Sequence, residues 1–343
     1  VALLEELVAG YRSPTEFPYA HRAPVKCEIK SEWRDGTTDN RHFPNDLLTV
    51  VIPCYNLGSY LDDAVNSVLA STYQPIEVII VDDGSTERNS LAALKKWRDH
   101  ASVKVLRQQN AGLSSARNAG AKRAAGRFLA FLDADDAVMP DYYEKAIRVL
   151  KRYSNVHFAG SWVRYFGSTS GIWPAFNPAP PYLLAHNPVN GSALVYKTAS
   201  FLAGGLNDPR LKFGLEDHES VIDMLHHGLD GIVLPEALHR YRVRPGSMIR
   251  RLNRTKLLLA HGYIAEKHQA YYTPYATELV QLLNCNGPGY FYENPTMQLF
   301  VSAGTDRPGS WQNRLKQLAR RNKNLKLFLL AIKKKTDRLW QKS

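Results

Sequence analysis

The sequence predicts an α/β fold, with a parallel-rich central sheet, helices on both faces of it and further helices towards the C-terminus. Two observations carry this prediction. Short apolar runs rich in Val and Ile lack the polar alternation of a half-exposed strand, and amphipathic segments of about ten residues or more separate them. Strands that are buried on both faces and joined by helices are typical of parallel sheets, because a parallel connection has to cross back over the sheet.

The first half of the chain supplies this pattern in order. Apolar runs at 47–53, 76–85, 103–108 and 126–133 indicate buried strands. Helices are predicted between them at 59–71, through SLAALKKWRDH, and at 113–125. Polar clusters close three of the runs, as CYN, DDGS and DADD. Ligands of open α/β sheets bind at the carboxyl ends of the strands, so we expect these clusters to meet in one crevice.

The second half is less regular. Predicted elements are strands at 156–167 and 191–197, a turn-rich loop entering a helix at 201–228, a strand and basic loop at 231–248, and a helical stretch at 254–283. Turn formers and charge dominate the N-terminal segment, which shows neither a helical nor a strand period. The predicted organisation is a leader or interdomain linker at 1–46, a main domain at 47–253, a helical extension at 254–310 and a C-terminal helix at 311–343.

The net charge of +12 is concentrated at the C-terminal end. Residues 314–343 contain 11 basic residues and one acid, so the rest is nearly neutral and nucleic-acid binding is not expected. Apolar residues on one helical stripe predict either a basic amphipathic helix on an anionic membrane surface or a helix packed on the protein. Three scattered cysteines and the lack of a long apolar run favour a cytoplasmic protein. If the basic helix lies on a membrane, the protein would be peripheral on the inner membrane face.

Three carboxylates occupy the four positions 133–136, directly after the fourth predicted strand. Asp133 and Asp135 form a DxD pattern, and a hard cation such as Mg²⁺ or Mn²⁺ binds one or two carboxylates together with substrate phosphates. The alternative is an acidic turn that caps the next helix through Asp136 or Asp141. The residues alone leave both interpretations open.

Two further clusters are equally ambiguous on their own. In VDDGS (81–85), Asp82 and Asp83 either accept hydrogen bonds from a base or ribose, or simply form a turn. Arg117 lies among small residues of a predicted helix, which either pack closely on the sheet or bring its guanidinium to a nucleotide. The glycines near it do not form GxGxxG, so a dinucleotide site of that kind is not indicated.

Acids and arginines recur late in the main domain. Glu216 and Asp217 either provide a general base for an acceptor hydroxyl or favour the first turn of a helix through its dipole. Arg242 and Arg244, in the predicted basic loop, suit a diphosphate, although loop arginines are commonly solvated.

The order of six blocks is more specific than any block alone. VVIPCYN, VDDGST, NAGLSSARNAG, FLDADD, GGLNDPRLKFGLEDHE and YRVRPGSM closely resemble, in order and spacing, the family 2 glycosyltransferases of the GT-A fold. The resemblance covers residues 47–250. It implies an enzyme that transfers a sugar from a nucleotide-diphosphate donor with inversion at the anomeric carbon, and it implies divalent manganese or magnesium as the cofactor.

On the donor side, the resemblance implies a nucleotide site at the first two strand ends. Pro53 and Tyr55 would line the nucleoside pocket, and Asp82, with Asp83 beside it, would contact the base. Arg117 would lie against the nucleotide.

Around the reaction centre, the resemblance implies a metal and a base. Asp135 would bind the metal, and Asp133 would face the ribose or the water shell of the metal. Asp217 looks like the catalytic base, with Glu216 orienting the substrate or the base.

Two departures from the family pattern matter. Many relatives carry a His two residues after the Arg of the last block, and here that position is Arg244. Either His239 takes the place of that His as a metal ligand, or Arg244 contacts the diphosphate beside Arg242. The QxxRW motif of processive members is absent, which favours adding a single sugar to a glycan or lipid-linked acceptor, in cell-surface polysaccharide or glycoconjugate synthesis.

The alternative functions are a nucleotidyltransferase and an inactive glycan- or membrane-binding module. The oligomeric state is left open.

Overall fold

A computed structural model describes residue 43, residues 45–244 and residues 254–286. The strands are β1 Leu48–Cys54, β2 Ile76–Asp82, β3 Val103–Arg107, β4 Phe128–Phe131, β5 Ala137–Val138, β6 Val156–Gly167, β7 Gly171–Trp173, β8 Val195–Lys197 and β9 Asp230–Val243. The helices are α1 Gly58–Leu69, α2 Arg88–Arg98, α3 Leu113–Ala121, α4 Tyr142–Arg152, α5 Tyr182–Ala185, α6 Thr198–Gly204, α7 Glu216–His226, α8 Arg254–Lys267, α9 Gln269–Tyr272 and α10 Ala276–Asn286.

All nine strands form one sheet, in the order β3-β2-β1-β4-β8-β6-β9-β5, with β7 on β6. Strands β1 to β4 are mutually parallel, β8 pairs antiparallel with both β4 and β6, and β6 pairs in parallel with β9. The predicted class, a parallel-rich α/β sheet with helices following it, is confirmed. The parallel half is the part that the uninterrupted apolar runs predicted.

Helices cover both faces of the sheet because alternate residues of each buried strand point to opposite sides. One core contains Val50 and Ile52 of β1 packed with apolar residues of α1, α2 and α4. The other contains Val51 of the same strand packed with residues of α3, α6 and α7. The predicted close approach of the small-residue helix is present, since a Cβ on Gly120 would lie 2.3 Å from Cγ1 of Val51.

The prediction of a basic loop in this part of the chain is wrong. The sequence around Arg240 and Arg242 belongs to β9, which continues to Val243 because its partner β6 is long enough to pair with it throughout. The register of β6 and β9 shifts after the pair Ser161–Leu234, because the next residue of β6 pairs with Ala237. The skipped part of β9 contains Pro235. Proline lacks the N–H that a regular ladder needs, so the shift accommodates it within one strand.

The predicted strand at 191–197 is shorter than expected. Only Val195–Lys197 forms a strand, and Gly191–Ala193 forms a short 3₁₀ turn. A Cβ on Gly191 would lie 2.7 Å from Cβ of Asp217, so the turn packs directly against the start of α7. This contact brings the segment before β8 to the predicted base.

The contacts place residues 45–244 and 254–285 in one compact unit, the first of two. The sheet belongs to the first unit. Apart from residues 43, 45 and 46, the leader lies outside the described residues, as do residues 287–310 of the helical extension and the basic helix at 311–343. Among the helices described, none is both long and apolar enough to cross a membrane.

Candidate active site

The carboxyl ends of β1, β2 and β4 lie at one edge of the sheet. Cys54 pairs with Asp82 in the register of β1 and β2, and Val51 of β1 pairs with Phe131, two residues before Asp133. Pro53 is buried at this edge, whereas Tyr55 is 48% exposed. The expected convergence of the polar clusters is therefore present.

The two acids at the end of β2 have different partners. Oδ1 of Asp82 accepts a hydrogen bond from the backbone N–H of Ser85 at 2.8 Å, and its other oxygen lies 3.6 Å from Nε of Arg107. Asp83 accepts hydrogen bonds from the Gln108 side chain at 2.7 Å and from the backbone N–H groups of residues 111 and 112, both at 2.9 Å. Asp83 thus holds the loop that leads into α3, which is the turn-forming role the sequence left open.

Arg117 of α3 is only 2% exposed and is buried between two carboxylates. One terminal nitrogen donates to Oδ1 of Asp133 at 2.7 Å, and the other donates to Oε1 of Glu216 at 2.8 Å. Burial alone would lower the pKa of the guanidinium, but the two carboxylates raise it above its ordinary value. Arg117 is therefore a permanent cation that joins the DxD segment to the start of α7.

Each acid of the 133–136 segment has its own basic partner. Asp133 pairs with Arg117, Asp135 accepts from Nε of Arg244 at 2.5 Å, and Asp136 lies 3.1 Å from Nε2 of His239. The like charges are tolerated because their side chains point to different basic partners.

Asp136 is fully buried and has a structural role. It accepts from the backbone N–H of Arg242 at 2.8 Å as well as contacting His239. Burial raises the pKa of Asp136 to about 6, with His239 opposing the shift. His239 is buried on this contact, which places its Nε2 on Asp136 and not on the DxD acids.

The arginines at the end of β9 lie against the DxD segment. Arg242 donates through Nε to the backbone carbonyl of Asp135 at 2.7 Å and through a terminal nitrogen to Asp63 at 2.7 Å. Its guanidinium also lies 5.1 Å from the ring centre of Tyr60, and that of Arg244 lies 5.5 Å from it. The predicted cations thus reach the predicted metal acid, Arg242 from within β9 and Arg244 from the residue that follows it.

Glu216 and Asp217 form the first turn of α7. Leu215, with φ of +68°, precedes them, and Oδ1 of Asp217 accepts a hydrogen bond from the N–H of His218 at 2.8 Å. Burial raises the pKa of Asp217 above its ordinary value of 3.8, although Arg117 opposes the shift. Burial likewise raises the pKa of Glu216, again against Arg117. The pair combines a partly exposed acid with a buried one that is held by an arginine.

The donor set of Asp133 and Asp135 fits a hard divalent cation. Their side chains are 25% and 15% exposed, so both can be reached from the crevice. Burial and the charge of Asp133 raise the pKa of Asp135, and Arg244 opposes this. A cation beside these two oxygen donors would relieve the same repulsion.

Sequence reasoning missed the bridge through Arg117 and the partners of Arg242. The bridge joins residues 99 positions apart, and the contact to Asp63 spans 179 positions. The one local signal was an arginine among the small residues of NAGLSSARNAG. A buried cation of that kind requires carboxylates around it, but the sequence does not identify which ones.

Comparison with known proteins finds a family match for the part of the chain that contains β1 to β4. Residues 49–205 match the family described as Glycosyl transferase family 2. Glycosyltransferase GlyA of Streptococcus pneumoniae is 27% identical over 261 residues, 66% of this chain and 37% of GlyA. Glycosyltransferase GlyG of the same organism is 34% identical over 130 residues, 38% of this chain and 43% of GlyG. The chain thus spans less than half the length of these curated relatives.

Solved structures share the fold at low sequence identity. The mannosyltransferase PcManGT from Pyrobaculum calidifontis, in complex with GDP-Man and Mn²⁺, has a TM-score of 0.53 at 15% identity, covering 91% of this chain and 92% of that one. S. aureus TarS 1–349, in complex with UDP-GlcNAc, has a TM-score of 0.54 at 18% identity, covering 75% and 79%. The predicted GT-A fold class is confirmed, and residues 49–205 of the chain match glycosyl transferase family 2.

Proposed function

We propose that this chain is an inverting glycosyltransferase that moves one sugar from a nucleotide-diphosphate donor to a hydroxyl of a glycan or lipid-linked acceptor. The observation that carries the proposal is the buried bridge of Asp133, Arg117 and Glu216. It holds the acids of the donor edge and the acid pair of α7 around one guanidinium. A single-displacement transfer needs these two groups close together, on opposite sides of the reacting carbon.

Asp217 acts as the general base in this proposal. Its carboxylate takes the proton of the acceptor hydroxyl while the oxygen attacks the anomeric carbon, and the bond from that carbon to the diphosphate breaks with inversion. Burial raises the pKa of Asp217 and so strengthens it as a base, while Arg117 favours its ionised form. Glu216, fixed by Arg117, keeps the first turn of α7 in place for this step.

The donor occupies the edge formed by β1, β2 and β4. Pro53 and the exposed ring of Tyr55 line the nucleoside pocket, and Asp82 contacts the base. Asp135, with Asp133, holds a divalent cation, which when bound neutralises charge on the leaving diphosphate. Arg244 and Arg242 add positive charge at the same place, since both already contact Asp135.

The donor assignment predicts a metal-dependent thermal shift. A nucleotide sugar at about 100 times its Kd stabilises the folded state by about 2.7 kcal/mol, or roughly 5–10 °C for a domain of this size. The measurement is a thermal-shift screen of nucleotide sugars with and without Mn²⁺. Asp135→Asn should lose the metal-dependent part of the shift.

Asp141→Asn is the matched control, because Asp141 belongs to the same acidic segment but pairs with Lys145 at 2.7 Å. It should retain the full shift. No stabilisation of the wild type by any nucleotide sugar would contradict the proposal. Stabilisation by a nucleoside triphosphate, followed by release of pyrophosphate, would favour a nucleotidyltransferase instead.

The basic segment 311–343 predicts attachment to an anionic membrane, which suits a lipid-linked acceptor at the inner membrane face of the cytoplasm. Vesicles containing about a third anionic lipid should carry the full chain upwards in a flotation gradient, and added salt should release it. A chain that ends at residue 310 should stay at the bottom. Equal recovery of the two chains with the vesicles would contradict this role of the tail.

A further inference from the structure

A cluster of two histidines and one aspartate lies at the far end of α7. One ligand atom from each of Asp223, His226 and His268 lies within 4.8 Å of the other two. Asp223 and His226 share one face of α7, three residues apart, and His268 lies between α8 and α9. His226 is about 13 Å along the helix axis from Asp217, so this cluster is separate from the donor crevice.

The two histidines face each other through the same ring nitrogen. Nδ1 of His268 lies 3.5 Å from Nδ1 of His226 and 3.9 Å from Oδ1 of Asp223. The nitrogen–nitrogen distance is long for a hydrogen bond, whose usual range ends at about 3.2 Å. Two nitrogen ligands at about 2.05 Å from one tetrahedral zinc ion lie roughly 3.3 Å apart. The observed spacing is therefore close to that of two ligands of one ion.

The other ring nitrogen of His268 has the partner that metal-binding histidines usually have. Nε2 lies 2.7 Å from Oε1 of Glu219, a fully buried carboxylate that also accepts from Lys267 at 2.6 Å. A carboxylate on Nε2 favours the tautomer that carries its proton there, which leaves the lone pair on Nδ1. Metal-binding histidines are typically held by such a carboxylate. His268 is itself buried, so this lone pair faces the cluster and not bulk water.

The exposed member of the cluster is also oriented. The ring of His226 stacks on Tyr271, with centres 5.1 Å apart and planes at 21°. His226 faces solvent on one side, so water can complete the coordination.

We propose that Asp223, His226 and His268 form a zinc site that fastens the helices after β9 to the end of α7. Two imidazole nitrogens and one carboxylate oxygen suit Zn²⁺ better than Mg²⁺ or Ca²⁺, which prefer oxygen donors alone. The site does not depend on the proposed transferase activity. Its role is structural, because α7 carries Glu216 and Asp217 at its other end and the bound ion would hold that helix against α8 and α9.

Metal binding to the full chain tests the proposal. After removal of metals with a chelator, Zn²⁺ is titrated against a chromogenic competitor, and Co²⁺ is added separately as a spectroscopic probe. The wild type should bind one zinc, gain the strong visible absorption of four-coordinate Co²⁺ and melt at a higher temperature with zinc. His226→Ala should weaken zinc binding by more than the roughly 10- to 100-fold that losing the hydrogen-bond partner of a ligand costs.

His100→Ala is the control, because His100 is an exposed histidine just after α2 and is not one of the three ligands. It should bind zinc as the wild type does, and so should Asp135→Asn, which alters the other acidic cluster. Asp223→Asn should weaken zinc binding in the same way as His226→Ala. The proposal is overturned by a wild type that binds no zinc, by His226→Ala that binds it unchanged, or by equal loss in His100→Ala.

Discussion

Replacing Asp217 with Asn is expected to slow sugar transfer by about 10²- to 10⁴-fold, the usual contribution of a general base. Asn has nearly the same shape and still accepts the hydrogen bond from His218, but it cannot take the proton of the acceptor hydroxyl. The turnover number should therefore fall while the stabilisation by donor and Mn²⁺ stays as in the wild type. Steady-state transfer assays and the thermal-shift assay measure the two quantities separately.

The pH dependence of the wild type gives an independent check of the same residue. Because burial raises the pKa of Asp217 above 3.8, the base is protonated, and inactive, below that raised pKa. The rate should therefore fall on acidification through a pKa higher than that of an ordinary aspartate. Asp141→Asn, which removes a carboxylate that pairs with Lys145, should keep both the acidic limb and the pKa that defines it. Normal turnover by the Asp217→Asn enzyme would assign the base to another residue.

Replacing Arg117 with Met is expected to destabilise the fold by about 3–5 kcal/mol, because it leaves buried carboxylates without their cation. Asp133 and Glu216 would then repel each other with no opposing charge between them. Chemical denaturation at neutral pH measures the loss. Arg107→Met is the control, since Arg107 is exposed and lies 3.6 Å from Asp82; its effect should stay within about 0.5 kcal/mol.

Acid should partly reverse the Arg117→Met defect. Without the guanidinium, the folded-state pKa of Glu216 rises further above its unfolded value, so the ionised carboxylate destabilises the fold at pH values above the unfolded pKa. That cost disappears as the pH falls through the raised folded pKa, where the buried group is neutral. The difference between variant and wild type should therefore be smaller at pH 5 than at pH 8. An equal difference at both pH values would contradict the charge bridge and point to lost packing alone.

Local patterns were sufficient for the parallel half of the sheet. The apolar runs of β1, β2 and β4 predicted buried strands because each of their residues packs on one of two helix layers, whatever the partner is. The sequence around Arg242 was harder to interpret, since three arginines in five positions suggested an exposed loop. Its strand conformation depends on pairing with β6, whose residues lie far away in the chain.

The candidate site divides in the same way. The DxD acids and the acids of α7 were found because they follow strand or helix boundaries that the sequence itself marks. The partners of those acids were not, because Arg117, Arg244 and His239 reach them only after the sheet has formed. His226 and His268 carry no local signal in the sequence, since 42 residues separate them and only the packing of α7 with the C-terminal helices brings them together.

The sequence by itself determined the α/β class, the family resemblance and the identities of the acids at the strand ends. These depend on the period of apolar residues and on the spacing of short motifs, both of which are local. The tertiary structure alone decided which cation compensates which acid, and which histidines face each other. The electrostatic energy between two charged groups depends on their distance in space and on their burial, and neither can be read from their separation along the chain.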